Sequence, residues 1–299
     1  IVFGDWSSDV CSSDLLQRQL AIQESAAELY QELIKPFEVK LASVRHIVIV
    51  PSNSLHYLPF NVLQDAGGDY MGLRWSLSLA PSSSVWLHCL RQGDRPATEQ
   101  VRQFKVTAFG NPSLGDSKWD LPFAAREVKS LQRYFPTVQS YLNARATETA
   151  VKKQALSPLL LFSCHGEYDS RHPLMSALLL TGDKQQDGRL SAHEIMGLDL
   201  NAYLTVVSAC ETGLGTVRSG DEVEGLVRSF ILAGSSSVVT SLWKVDDLAT
   251  AVLIKRLFRY LAEGDSRAEA LRKAQRVVFT EINPYPSYWA GFHITGDFR

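Results

Sequence analysis

Two residues of this chain have the chemistry of a thiol hydrolase. His165 follows the apolar run Pro158–Ser163, within Cys164-His165-Gly166-Glu167. Cys210 follows the apolar run Tyr203–Ala209 and opens Cys210-Glu211-Thr212-Gly213-Leu214-Gly215. Each run has the length and composition of a buried strand. An imidazole and a thiol at the ends of two strands of one sheet can approach each other. The thiolate is the nucleophile, and an adjacent imidazole lowers the thiol pKa and carries its proton. Gly166 lets the backbone come close to a substrate carbonyl, and its N–H and that of Cys210 could form an oxyanion hole. Either residue alone is more often a buried structural group. The pair, each at a strand end and each followed by a glycine-containing turn, points to catalysis.

Other chemical candidates are weaker. Cys164 adjoins His165, but strand alternation sends it to the opposite face, where it packs. Cys89 lies in the helix-like stretch Ser82–Leu90 and reads as core. Glu167 and Asp169 could orient His165, although a solvated role suits both. His172 and His193 lack the spacing of metal ligands, so no metal is expected. Gly213-Leu214-Gly215 lacks the third glycine of a dinucleotide loop, Arg218 standing there, and no Walker lysine follows. No cofactor is expected.

These residues need a scaffold, and the hydrophobic pattern supplies one. An amphipathic helix spans Leu16–Ile34 and stops at Pro36. His46–Val50 is a short buried strand, Asp65–Gly68 a turn, and Trp75–Ala80 an alternating strand. The polar stretch Arg91–Gln103 reads as a linker. From Phe104 onward strands and helices alternate: strands at 104–109, 138–142, 158–163, 177–181, 203–209 and 237–243, helices at 123–135, 221–232 and 248–261. Thr147 reads as the cap of a helix running to Leu156. Ser266-Arg267-Ala268-Glu269 is a capping box that opens a last helix through Val278. Near-continuous apolar strands alternating with helices imply an α/β fold, a mostly parallel sheet covered on both faces. In such a sheet ligands bind outside the carboxyl ends of the strands, where His165 and Cys210 fall.

Composition excludes several classes. The 299 residues are 45% hydrophobic and 21% charged, enough for a sizeable core and unlike a disordered chain. Apolar runs are too short to span a membrane. A net charge of −2 gives no pull toward nucleic acid. Four cysteines are too few for a disulfide scaffold, which suits a reducing compartment, the cytoplasm. Residues 1–15 have no helical or strand periodicity and look like the translation of a sequencing adapter, so they are set aside from fold reasoning. The natural chain is then expected to continue upstream.

Ser163-Cys164-His165-Gly166 and Val207-Ser208-Ala209-Cys210-Glu211-Thr212-Gly213 resemble the paired motifs of the CHAT domain, a member of the caspase-like clan of cysteine peptidases. Val48–Phe60, Leu77–Ser83, Gly110–Pro112, Gly220–Ile231, Ser241–Asp247 and Tyr288–Phe292 are also similar to that family's segments. The resemblance covers about residues 20–299. It implies a caspase-like α/β/α sandwich with a degenerate N-terminal half: 16–44 a remnant of upstream helical, tetratricopeptide-type repeats, 45–103 a pseudo-caspase part and 104–299 the catalytic part. It implies His165 as base and Cys210 as nucleophile of a dyad.

The function expected is that of a cysteine endopeptidase acting on a polypeptide, gated by an upstream sensor region through a regulatory partner, in bacterial signalling or defence. Two other readings stay open: a silent caspase-like adaptor, and another thiol hydrolase or acyltransferase. By similarity to separase, Trp243, Asp246 and Asp247 are the candidate substrate contacts. Asp246 reads as the partner of a basic side chain before the cut, and Asp247 as a helix N-cap.

Overall fold

A computed structural model describes residues 12–92, 98–154, 156–169, 171–211 and 221–299. The chain opens with helix α1 (Ser12–Leu33), the short α2 (Glu38–Leu41) and strand β1 (His46–Ile49). Next come α3 (Met71–Arg74), β2 (Ser76–Leu79), α4 (Ser83–Gln92) and α5 (Thr98–Arg102). Then β3 (Val106–Pro112), α6 (Pro122–Ser130), β4 (Val138–Asn143), α7 (Glu148–Gln154) and β5 (Leu159–Glu167) follow. A small excursion holds β6 (Ala177–Leu179), β7 (Arg189–Ser191) and α8 (Ala192–Met196). The chain then forms β8 (Leu204–Glu211), α9 (Asp221–Leu232), β9 (Ser237–Ser241), α10 (Asp247–Glu263), α11 (Arg267–Glu281), α12 (Pro286–Trp289) and β10 (Phe292–Gly296).

The main sheet has the order β1-β2-β10-β9-β8-β5-β3-β4. Strands β9, β8, β5, β3 and β4 are mutually parallel. Strands β1, β2 and β10 are also parallel to one another, but β10 meets β9 antiparallel. Two parallel sets of opposite direction therefore join at one seam. Within the larger set the connection after β3 leads to β4 at one edge, whereas the connection after β5 leads the other way, to β8. That is the switch point where open α/β sheets form a crevice.

Alternation along β5 explains the layers. Leu159 and Leu161 join the apolar cluster with α6, α10 and α11, while Leu160, Phe162 and Cys164 join the cluster with α7, α8 and α9. Leu159, Leu160, Leu161 and Phe162 have no exposed surface. Each such side chain contributes roughly 1.5–3 kcal/mol on burial. Together they make the sheet centre the most secure base for a site at its upper end. Helix α1 buries Ala26 and Tyr30, Ile34 just past its end continues the spacing of four, and Tyr30 and Ile34 pack with Leu63, Met71 and Trp75.

Several expectations are corrected. Helix α1 begins at Ser12, not Leu16, so part of the stretch set aside is helical; Ser12, Ser13 and Asp14 are residue types that favour a helix start. Residues 1–11 lie outside the described residues. The stretch read as a linker contains α5, anchored by buried Val101. Strands β5 and β8 run past their apolar cores, to Glu167 and Glu211. They do so because the ladder between them continues to Gly166 opposite Glu211, and β6 adds a second ladder to the end of β5. The capping box at Ser266 is half formed. Ser266 accepts from Glu269 N–H, but the Glu269 carboxylate is turned to Arg272 at 2.6 Å. Among the described residues no helix is long and apolar enough to cross a membrane.

Candidate active site

The parallel ladder between β5 and β8 sets His165 opposite Cys210. His165 is on the α6/α10 face of the sheet, since Leu161 on β5 lies an even number of residues away and joins that cluster. Cys164, one residue out of phase, is 1% exposed in the opposite cluster. Cys89 is fully buried, and burial pushes its thiol up to about 11, far from a reactive thiolate.

His165 is half-buried and its ring is held by the main chain. Nε2 lies 2.8 Å from the Trp119 carbonyl oxygen, and the Trp119 ring meets the imidazole edge-on with centroids 5.6 Å apart. A carbonyl only accepts, so Nε2 carries the proton and donates, leaving Nδ1 as the acceptor of the neutral ring. Burial lowers the His165 pKa below its ordinary value of 6.5. The hydrogen bond to Trp119 works against that shift, the Lys244 ammonium adds to it, and Asp247 opposes it.

Trp119 reaches His165 from the loop after β3, on the crevice side of the switch point. Its shape is fixed by two side chains. Asn111, in the left-handed region at φ 47°, accepts the Leu121 N–H on Oδ1 at 2.5 Å. Asp116 accepts the Lys118 N–H and caps the turn Ser117–Trp119. Pro122 then starts α6.

Helix α6 brings a second buried group to the same place. Ser163, two residues before His165 on β5, donates its hydroxyl to Glu127 Oε2 at 2.5 Å. Burial pushes the Glu127 carboxyl up to about 7; the Ser163 bond opposes this and the Asp247 charge adds to it. A carboxyl with a raised folded pKa binds more protons folded than unfolded between about 4.5 and 7. Its contribution is most favourable below that window and is lost as pH rises through it. Glu127→Gln keeps an acceptor for Ser163 and removes the titration. In urea unfolding, wild type is expected to lose on the order of 3 kcal/mol relative to Glu127→Gln between pH 5 and pH 8. A stability difference between the two that does not change with pH overturns the assignment.

Glu167 and Asp169 do not orient the histidine. Glu167 pairs with Arg189 on β7, at 3.0 and 3.2 Å. Asp169 accepts the N–H groups of Arg171 and His172, each at 2.9 Å. Gly166 lies under the ring of Tyr168. A Cβ there would sit 3.3 Å from Cε2, Cζ and Oη of that ring, so any side chain would make the ring give by a few tenths of an ångström.

The capping role falls to Asp246 rather than Asp247. Asp246 is the N-cap of α10, with Oδ1 accepting the Ala249 N–H at 2.9 Å. Asp247 is the first helical residue, exposed, and its charge is felt at both His165 and Glu127. The reason is Val245, 1% exposed in the cluster with Ala249 and Leu253, which fixes the chain's approach one residue earlier than the polar pattern suggests. Trp243 is half-buried, donates Nε1–H to the Ser287 carbonyl at 3.0 Å, and packs over Gly291. Residues 212–220, which include the end of the cysteine motif and the glycine pair, lie outside the described residues. Among the described residues no three His, Cys, Asp or Glu side chains gather as a metal set.

A mostly parallel sheet between helical layers, with a histidine and a cysteine in register on adjacent strands, defines a caspase-like α/β protein. The chain belongs to the CHAT domain family, whose pattern matches residues 23–297. A human relative, Tetratricopeptide repeat protein 28, is 25% identical over 95% of this chain and 14% of its own length. The chain thus spans about one-seventh of that relative. The Arg-specific cysteine proteinase gingipain R is similar in structure, with a TM-score of 0.58 at 10% identity over 98% of this chain and 68% of the other. Separase in the Saccharomyces cerevisiae separase–securin complex gives a TM-score of 0.55 at 19% identity, over 97% and 18%. At these identities the structural neighbours establish the fold alone.

Proposed function

We propose that this chain is the peptidase part of a longer protein and hydrolyses peptide bonds through His165 and Cys210. The observation that carries the reading is the register of His165 with Cys210, together with the Trp119 carbonyl that occupies Nε2 and leaves Nδ1 as the base. Nδ1 takes the thiol proton of Cys210. The thiolate adds to the scissile carbonyl, and the N–H groups of Gly166 and Cys210 hold the oxyanion. The imidazolium returns its proton to the leaving amine. Water then hydrolyses the acyl-thioester, with His165 accepting one proton and passing it to the departing thiolate. This chemistry needs no cofactor.

The exposed Asp247 carboxylate, rather than the capping Asp246, is the candidate partner for a basic side chain before the cut. The Arg specificity in gingipain R's name supports such a preference in this fold. Lys244 beside it tempers the local charge. Trp243, tied down by Ser287 and Gly291, serves as pocket wall. The human relative's name supports helical repeats beside this part; the proposal makes them the gate, in bacterial cytoplasmic signalling or defence, with a protein as substrate and another as regulator.

Cleavage-site profiling on a peptide library tests the reading. Wild type is expected to cut after Arg or Lys, and Asp247→Ala to lose at least about tenfold on those substrates, the scale of one charge-assisted bond. A basic preference unchanged in Asp247→Ala removes the pocket assignment. No peptide hydrolysis under any condition leaves the fold as a docking scaffold.

A further inference from the structure

We infer that Tyr168 is a positioning residue for the oxyanion donors, an inference that rests on the peptidase reading above. Tyr168 stands one residue beyond β5 and touches both halves of the proposed hole. Its ring lies against Gly166, close enough that a Cβ on that residue would sit 3.3 Å from it. Its hydroxyl donates to the Ala209 carbonyl oxygen at 3.3 Å. That oxygen belongs to the peptide unit whose other end is the Cys210 N–H.

Two physical consequences follow from this placement. A peptide unit is planar and trans, so holding its oxygen fixes the direction of its N–H. A hydrogen bond accepted at the oxygen also polarises the amide and makes the N–H a stronger donor. The need for a tie at this point is visible in the sheet. The register between β8 and β9 pairs Thr205 with Val238 and Val206 with Val239, and then ends. The last part of β8, where Cys210 lies, is laddered to β5. Tyr168 adds a side-chain anchor at the peptide where the oxyanion would be bound. The same side chain rests on Gly166, so one residue sets the spacing of both donors.

The substitution Tyr168→Phe removes the hydroxyl and keeps the ring on Gly166. Two reactions of Cys210 separate the roles. Peptide hydrolysis passes through an oxyanion; alkylation by iodoacetamide, in which the thiolate displaces iodide from a saturated carbon, does not. For Tyr168→Phe, kcat on a peptide amide is expected to fall about tenfold with KM unchanged, the scale of one hydrogen bond made in the transition state. Affinity for a peptide aldehyde, whose carbonyl carbon bonds Sγ and whose oxygen enters the hole, is expected to fall in parallel. The alkylation rate is expected to stay at the wild-type value. Equal hydrolysis in the two proteins overturns the inference, and so does a parallel fall in hydrolysis and alkylation, which would mark general damage to the dyad. A wild type that is alkylated at Cys210 but hydrolyses no peptide removes the peptidase reading, and this inference with it.

Discussion

Cys210→Ala is expected to reduce peptide hydrolysis to background while the protein stays folded. Loss of the atom that forms the acyl bond cannot be made good by the remaining groups, since the covalent route is gone. The matched control is Cys164→Ala. That thiol is buried in the opposite apolar cluster, 1% exposed, so its removal leaves a small cavity and costs on the order of 1 kcal/mol of stability. Turnover should remain close to wild type. Steady-state kinetics with circular dichroism on both variants gives the comparison. Activity retained in Cys210→Ala, or lost equally in both, would falsify the assignment of the nucleophile.

His165→Ala is expected to lose at least about 100-fold in kcat/KM, the lower end of what a positioned acid–base group contributes. The pH profile carries the finer information. Burial and Lys244 hold the His165 pKa below 6.5, so the ring is a neutral base at pH 7. The acid limb of the wild-type profile should therefore lie below 6.5 and vanish in His165→Ala. Its apparent value belongs to the thiol–imidazole pair rather than to one residue. A wild-type acid limb above 6.5, or one that persists in the variant, would count against His165 as the base.

Much of this arrangement can be read from the chain. The apolar runs before His165 and Cys210 fix two buried strands, and the alternation that sends Cys164 to the far face follows from a period of two. What the runs do not reveal is that β5 and β8 continue through the polar motif residues. Hydrophobicity ends at Ser163 and Ala209, but pairing is decided by main-chain partners, and β6 arrives from another part of the chain. Strand β7 and helix α8, of three and five residues, are too short to show a period. The reversal at β10 is equally silent, because a strand's direction leaves no mark on its side-chain pattern.

The site shows the same division. Residue types single out His165 and Cys210, the pair proposed as the dyad. The sequence places two carboxylates, Glu167 and Asp169, near His165 and suits both to solvent; the ring's partner is a peptide oxygen 46 residues upstream, which no residue type signals. Nothing in the sequence marks Glu127; only the packing of α6 against β5 buries it beside Ser163. The two aspartates of α10 could not be told apart by type. Val245 decides between them, through a contact with the core that local polarity does not contain.

The atom that orients His165 has no codon of its own. Any amino acid at position 119 would present a carbonyl, so a scan that trims side chains one by one will report a machine of two parts and miss the third. The heritable control of that bond sits elsewhere, in whatever shapes the loop. Asn111 must accept the Leu121 N–H from a left-handed backbone, and Asp116 must hold the turn before Trp119. A change at 119 costs the edge contact of the ring and keeps the bond, whereas a change at 111 costs the curve that makes the bond. In that sense the third member of the site is inherited as a curve of the main chain, written by residues that never touch the histidine.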